Sequence, residues 1–465
     1  MSDTINPKTY EAYQLLHKGT LALARAERQG IHVDVDYIES KQKELTEKID
    51  QLETEFKSSR FYLHWEHVRK GKVDIYSPTQ LRHFLYDVKK YEAPKRTEKG
   101  SESTDNETLL SFGEPALNIL CRAKQYKQTR DTFLKSFLNE EVRGIMHPFY
   151  NLNLAKSFRS SSNSPNFQNI PKRDEEIMSI VRGAIIPRPG HILMEVDFSG
   201  MEVRVSCCYN KDPNLIRDVT NPAFDMHRDL AIQIFKLDKF DKDIDPYKTL
   251  RQAAKNGFVF PQFYGSYYKN CSPNLACTWG KMSRGKWEHG EGIQMEKGTL
   301  SDHLISKGIK SLDDFTEHLR GIEKYFWEER FPDYAEWKER WWNVYKKYGY
   351  FDLYTGFRCN GVMYKEQVTN LPIQGSAFHC LLWSFIRVDE VMQEERWDTR
   401  LIGQIHDSMV FDAHPDEIDH VINTVHRITS EELPNAWKWI IVPMEVEVER
   451  CPVDGSWATK KKGKN

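Results

Sequence analysis

Apolar residues recur at helical spacing in the first sixty positions. Leu15, Leu16, Leu21, Leu23 and Ala26 form one apolar face, Gly30 interrupts it, and a charged, helix-patterned stretch resumes from Val35 to Phe56. The pattern predicts helices within residues 9–58. Ser77-Pro78-Thr79-Gln80-Leu81 reads as a helix start, with serine as N-cap and proline at the first helical position. Residues 95–106 are polar and aperiodic, which predicts a mobile loop, and helices are expected over 107–139. From 143 to 197 the pattern shortens into strands and turns, ending in the apolar run Ile192-Leu193-Met194-Glu195-Val196. Residues 199–265 read as mostly helical, and 266–312 as an irregular insertion rich in Gly, Ser, Asn and Lys. A long aromatic helix is expected over 313–348, carrying Trp327, Trp337, Trp341 and Trp342. A hairpin (351–364), a helix (370–394), a second hairpin (401–412), a helix (415–432) and a closing strand (440–448) complete the expectation. No internal repeat is present. Helical stretches flanking a short-stranded centre imply an α+β chain in which a small antiparallel sheet carries helical lobes.

At 465 residues the chain exceeds a single core and fits two to four subdomains. Its longest apolar runs fall short of the ~20 residues of a membrane span. The N-terminus lacks the basic-then-apolar pattern of a signal peptide, so an intracellular, cytoplasmic location and no membrane partner are expected. Eight cysteines without a regular framework point to free thiols. Cys271, Cys277 and His289 match no standard zinc spacing. A net charge of −2 excludes a global basic signature for nucleic acid. Local basic clusters remain, at 69–72, 89–90, 95–96 and 122–130 and in the tail Lys460-Lys461-Lys462-Gly463-Lys464, each of which is ordinarily a solvated face.

Chemistry enters with Val196-Asp197-Phe198-Ser199-Gly200-Met201-Glu202, where an apolar strand delivers a carboxylate at its end and a helix follows at once. Far downstream, Gly403-Gln404-Ile405-His406-Asp407-Ser408-Met409 has a polar tip between apolar arms, as a hairpin would. A lone strand-end aspartate is ordinarily a turn residue. Two on adjacent strands repel unless a divalent cation lies between them, and paired cations are the arrangement of in-line phosphoryl displacement. Between the two segments, Arg251 and Lys255 lie at i,i+4 on one helical face, followed by the apolar Phe258-Val259-Phe260 and by Tyr264. Such a surface suits a nucleotide, with triphosphate on the cations and base against an aromatic ring.

These three segments resemble motifs A, B and C of the family A (DNA polymerase I-like) DNA polymerases. Gly30-Ile31-His32-Val33-Asp34, Ser77–Leu81, Arg159–Ser162, Pro165-Asn166-Phe167-Gln168-Asn169-Ile170-Pro171, Asp225-Met226-His227-Arg228, Asn370-Leu371-Pro372-Ile373-Gln374-Gly375-Ser376 and the closing Gly455-Ser456-Trp457 extend the resemblance over about 430 residues. It implies a right-hand polymerase fold: a palm with a small antiparallel sheet, and helical fingers and thumb. The expected limits are 1–142 for the N-terminal segment and thumb, 143–215 and 395–465 for the palm (the latter with the basic tail), and 216–394 for the fingers with the 266–312 insertion. It implies that Asp197 and Asp407 are catalytic and hold two Mg²⁺ ions, with Mn²⁺ as a substitute. Arg251, Lys255 and His227 would neutralise the dNTP triphosphate, Phe260 and Tyr264 would shape the nascent pair, and Glu202 would exclude a 2′-hydroxyl. Arg159, Gln168, Asn370, Gln374 and His406 would contact primer-template DNA near the terminal pair, and Lys127 the DNA backbone. A monomer without an exonuclease domain is expected, working with a separately encoded exonuclease or replisome subunit. The compact motif set is most similar to bacteriophage members, which would place it in viral DNA replication in the host cytoplasm.

Three departures stand out. Ser408 occupies the place of the family's glutamate after Asp407. Glu366 stands where an arginine is usual, leaving that minor-groove contact absent or supplied by Lys365. Lys255 precedes Tyr264 by nine positions rather than eight. In a regular helix, at ~100° per residue, the extra residue would turn Phe260 and Tyr264 off the cationic face and bring Val259 and Phe263 onto it. Pro261 lacks an N–H and clashes four residues back, so a one-residue π-type bulge near 257–261 is expected to restore them. Two rival readings stay open: a single-subunit RNA polymerase, against which Glu202 argues, and a catalytically inert DNA-binding subunit, against which both aspartates argue.

Overall fold

The computed structural model describes residues 9–97, 99–172, 174–241, 244–276, 282–283 and 285–462. The chain divides into two compact units. The first comprises Met1–Thr46, Lys127–Asn221 and Asp333–Asn465, and the second Glu47–Tyr126 and Pro222–Pro332. These cuts differ from the sequence-derived limits. The helix Thr9–Gln29 lies against the helix Lys365–Glu395 and the sheet, so the described residues before 47 group with the sheet. Residues 333–394 likewise join the first unit rather than the 222–332 segment.

The first unit is built on five antiparallel strands: β1 (Ile192–Phe198), β2 (Arg400–Ile405), β3 (Ser408–Ala413), β4 (Val446–Arg450) and β5 (Lys461–Lys462), in the order β2-β3-β1-β4-β5. Strand β1 is buried at every position except Asp197. This explains why it reads as a continuous apolar run rather than an alternating one. Strand β4 starts at Val446, later than expected, since Pro443 cannot donate to a ladder and its carbonyl is taken by Arg204 Nη1 at 2.8 Å. The tail also differs from a solvated basic end: through Lys462 it pairs with β4, setting Arg450 against Lys461 and Glu449 against Lys462. The helix Lys365–Glu395 buries most of its residues, and Arg25 Nε grips Asp389 Oδ2 at 2.8 Å from the helix Thr9–Gln29.

In the second unit, residues 47–126 close around Phe61, Trp65, Leu81, Phe84 and Leu117, with Trp65 stacked on Phe84 at 5.4 Å. Ser77 caps its helix by accepting from Gln80 N, with Pro78 in the first turn, as the sequence predicts. The polar 95–106 stretch, apart from Glu98, which lies outside the described residues, is tied down rather than loose. Lys95 pairs with Asp105 and Glu107, both at 2.9 Å, and Arg96 with Glu102 at 3.0 Å.

The 222–332 segment carries helices Met226–Ile234, Tyr247–Ala254, Tyr268–Ala276 and Leu312–Lys324. The aromatic helix expected over 313–348 breaks after the wide turn Tyr325–Arg330 and restarts at Pro332, which has no N–H to continue the ladder. The supposedly irregular 266–312 is largely folded among its described residues, with a small hairpin at Lys286–Trp287 and a capped helix Leu300–Ser306. Cys277 of the zinc candidate lies outside them, and Cys271 is buried. Among the described residues no helix is long and apolar enough to cross a membrane.

Candidate active site

Asp197 and Asp407 come together because β1 and β3 are neighbours. Asp197 sits directly across from Ser408, and the two-residue turn His406-Asp407 joins β2 to β3. His406 takes φ +50° there, and the Asp407 carbonyl accepts from Phe198 N at 3.1 Å, locking the turn to the end of β1. Gly200 follows with φ +59°, a conformation L residues adopt at a cost, and lets the helix Met201–Asn210 begin immediately and present Glu202 in its first turn.

Both aspartates are held above the usual carboxylate range. Burial is the first cause for Asp197, reinforced by Asp407 and Glu195 and opposed by Lys172, and its carboxyl is pushed up to about 7 although it opens to solvent. Asp407 is pushed up to about 6 by burial, opposed first by Arg159 and reinforced by Glu202. Its Oδ1 is buried and receives no hydrogen bond from any described residue. Arg159 Nη2 stands 3.6 Å from that oxygen and 3.2 Å from Glu202 Oε1, so one guanidinium joins the two carboxylates.

An implied pair of divalent ions fits this donor set. Hard oxygen donors at the end of one strand and in the turn that leads into its neighbour, one of them a buried acceptor with no hydrogen-bond donor, are what Mg²⁺ uses alongside water and substrate phosphate oxygens. Among the described residues no group of three or more His, Cys, Asp or Glu is arranged to hold a metal by itself.

Of the DNA-contact candidates, His406 is exposed at the turn, and Asn370 and Gln374 lie one turn apart, half-buried on the helix Lys365–Glu395. Glu366 is exposed one turn before them, and Lys365 is engaged by Glu339. Lys127 pairs with Asp131 at 3.3 Å. Gln168 departs from expectation. It is buried and donates to Ser160 Oγ at 2.8 Å and to Gln404 Oε1 at 2.6 Å, while Gln404 donates to the His406 carbonyl at 2.5 Å. Its amide therefore holds the catalytic turn from behind.

The nucleotide candidates other than Glu202 lie within the second unit. The helix Tyr247–Ala254 runs into a wide turn, Lys255–Val259, and resumes at Phe260–Phe263. The Phe260 N–H reaches five residues back to the Lys255 carbonyl, which absorbs the additional residue. Val259 and Phe263 consequently turn into the core, Phe263 against Phe326 at 5.7 Å. Lys255 Nζ lies 5.2 Å over the Phe260 ring, and Tyr264 is 37% exposed beside it, at 6.2 Å between centroids. His227 meets Phe260 edge-on at 5.9 Å, and Arg251 Nε donates to Asp225 Oδ2 at 2.8 Å. Asp225 also caps the helix that carries His227.

His227 carries no charge of its own before a nucleotide binds. Burial, then Lys255 and Arg251, depress its pKa to about 4, so the free protein presents a neutral imidazole at physiological pH. The sequence also missed what fixes this helix at its far end. His303 Nε2 lies 3.0 Å from the Phe235 carbonyl and His318 Nε2 3.1 Å from that of Gln233, satisfying carbonyls that a helix C-terminus leaves unpaired. Neither histidine has a local sequence signal.

Residues 35–284 and 306–457 match the family model described as DNA polymerase family A. The chain is 25% identical over 441 residues to DNA polymerase I of Bacillus subtilis, covering 94% of this chain and 44% of that protein. It is 28% identical over 432 residues to DNA polymerase I of Aquifex aeolicus, covering 92% and 64% respectively. The chain thus spans about half the length of the curated relatives it matches. Among solved structures, the POL domain of Pol1 from M. smegmatis in complex with DNA primer-template and dNTP superposes with a TM-score of 0.73 at 23% identity, covering 96% of this chain and 70% of that one.

Proposed function

Because the chain belongs to the family A DNA polymerases, we propose that it adds deoxynucleotides to a primer 3′-hydroxyl as directed by a template. The observation that carries the reading is the pair Asp197 and Asp407, carboxylates on a strand and on the turn that opens the neighbouring strand, both raised, one with a buried oxygen lacking a hydrogen-bond donor. These two would hold divalent ions, Mg²⁺ or in its place Mn²⁺. When bound, such ions ease loss of the hydroxyl proton and offset charge on the leaving pyrophosphate.

The remaining work falls to the protein's own groups. Arg251 and Lys255 receive the triphosphate as charge-assisted donors, and Asp225 keeps the Arg251 fork aimed. His227, neutral in the free protein, offers a ring donor on the same face. Phe260 and Tyr264 offer ring faces and edges to the base. Glu202 places a carboxylate that disfavours a 2′-hydroxyl, and Arg159 sets its orientation together with that of Asp407. His406, Asn370 and Gln374 contact the duplex, Lys127 its backbone, and Gln168 supports the turn from behind.

Primer extension on one template, with dNTPs and separately with NTPs in Mg²⁺, tests the reading. Extension by dNTPs with strong discrimination against NTPs is expected. Equal use of NTPs would favour an RNA polymerase, and extension by neither would overturn the proposal.

A further inference from the structure

Asp197 shares its face of the sheet with three other carboxylates. Glu195 lies two residues before it on β1, and Glu447 and Glu449 on β4 stand directly across from Asp197 and Glu195. Together with Lys172 and Lys460 they line a cavity of about 350 Å³. Four acidic side chains on one wall would offer a divalent ion several competing positions, yet only Asp197 and the turn residue Asp407 are placed for the chemistry.

The C-terminal segment removes that ambiguity. Lys460, 15% exposed, forms an ion pair with the buried Glu195 and reaches Glu449 Oε2 at 2.7 Å. Lys462 takes Glu447 at 2.5 Å. The other oxygen of Glu195 lies 2.9 Å from the Ser408 hydroxyl, whose one proton is also within reach of the Ile405 carbonyl at 2.9 Å. Ser408 is fully buried, directly follows Asp407 and faces Asp197 across the ladder. A continuous polar path therefore runs from the last strand to the turn that bears Asp407.

We propose that Lys460 is a positioning residue for the metal-binding carboxylates, acting through Glu195 and Ser408. It occupies Glu195 and Glu449 so that divalent ions are confined to Asp197 and Asp407, and it braces the Asp407 turn from the chain's end. The inference rests on the two-metal reading above. A buried carboxylate without its partner is strongly unfavourable, and a divalent ion competes with a proton to neutralise it, so loss of the Lys460 charge should add metal affinity in the wrong place.

Mn²⁺ is the probe, titrated by electron paramagnetic resonance into the full chain without DNA, alongside single-turnover nucleotide addition. Lys460→Met is expected to bind Mn²⁺ at least threefold more tightly, or one ion more, than the unsubstituted protein. Its nucleotide addition should fall at least tenfold while its Kd for primer-template stays within twofold, and Lys460→Arg should restore both readouts. The double variant Glu195→Gln/Lys460→Met, which removes both charges of the pair, should return to the original Mn²⁺ isotherm. An unchanged isotherm for Lys460→Met, or a double variant that keeps the tighter binding, overturns the proposal. Should Lys460→Met not fold, Glu195→Gln reads the same pair from its other side. Mn²⁺ binding at least threefold weaker supports the proposal, and unchanged binding refutes it. Asp197→Ala, run in parallel, separates the two levels: if it binds Mn²⁺ as the unsubstituted protein does, the metal-site reading itself fails, whatever Lys460 does.

Discussion

His227 offers a prediction whose sign and size both follow from its surroundings. Its pKa falls from 6.5 to about 4, first through burial, then through Lys255 and Arg251, with Asp225 acting in the opposite sense. Above pH 6.5 the imidazole is neutral in both the folded and the unfolded chain, and its contribution to stability is fully present. As pH drops, the unfolded chain takes up a proton near 6.5 while the folded one resists until about 4, so stability is lost across that window. Between pH 7.5 and 4.5 the loss amounts to about 2.5 kcal/mol from this one group. His227→Gln keeps a polar side chain but abolishes the titration. Urea denaturation at both pH values, read by hydrogen exchange of peptides spanning Met226–Ile234, compares the two proteins. The stability difference should move in favour of the variant by roughly 2 kcal/mol or more on going to pH 4.5. An equal difference at both pH values would refute the burial argument. Because glutamine retains an N–H donor, dNTP affinity at pH 7.5 should change less than threefold, whereas His227→Ala should weaken it by about tenfold through loss of one hydrogen bond.

Other perturbations test other parts of the site. A Cβ at Gly375 would lie 2.6 Å from the backbone oxygen of Ser157, so Gly375→Ala should cost about 1–3 kcal/mol by thermal denaturation and weaken primer-template binding by displacing the Arg159 segment. A variant as stable as its parent would contradict this close approach. Asp225→Asn weakens the tether on Arg251 and a helix cap, and should raise KM for dNTPs by about tenfold with primer-template Kd unchanged. An unchanged KM would mean that Arg251 needs no tether. Deleting Asn256 restores eight positions between Lys255 and the tyrosine and should straighten the wide turn while keeping both on the active face. Nucleotide addition within tenfold of the parent is expected; a folded but inactive deletion would show that the bulge itself is required.

The strand that delivers Asp197, the hairpin that delivers Asp407 and the cationic helix were legible because each is a local pattern. So was the bulge, since the additional residue and Pro261 both lie in the same helix. What escaped the sequence was long-range. Nothing near position 460 announces that Lys460 pairs with a glutamate 265 positions earlier, and a basic tail reads by default as solvated. Gln168 looked like a surface contact until Gln404 closed over its amide. The resemblance assigns His227 a place beside the triphosphate but not a protonation state, which depends on burial and on two neighbouring cations. The grouping of segments into two units is long-range in the same way: the helix Thr9–Gln29 packs onto the helix Lys365–Glu395, about 350 residues away, and no local composition marks that contact.

The central claim is that Asp197 and Asp407 carry nucleotide addition rather than DNA binding. Single-turnover incorporation of one dNTP by Asp197→Ala and Asp407→Ala, with primer-template Kd measured on the same preparations, tests it most directly. Incorporation should fall at least a thousandfold in each, a loss of about 4 kcal/mol or more in transition-state stabilisation, with DNA affinity largely retained. Incorporation within tenfold of the parent in either variant would contradict the account.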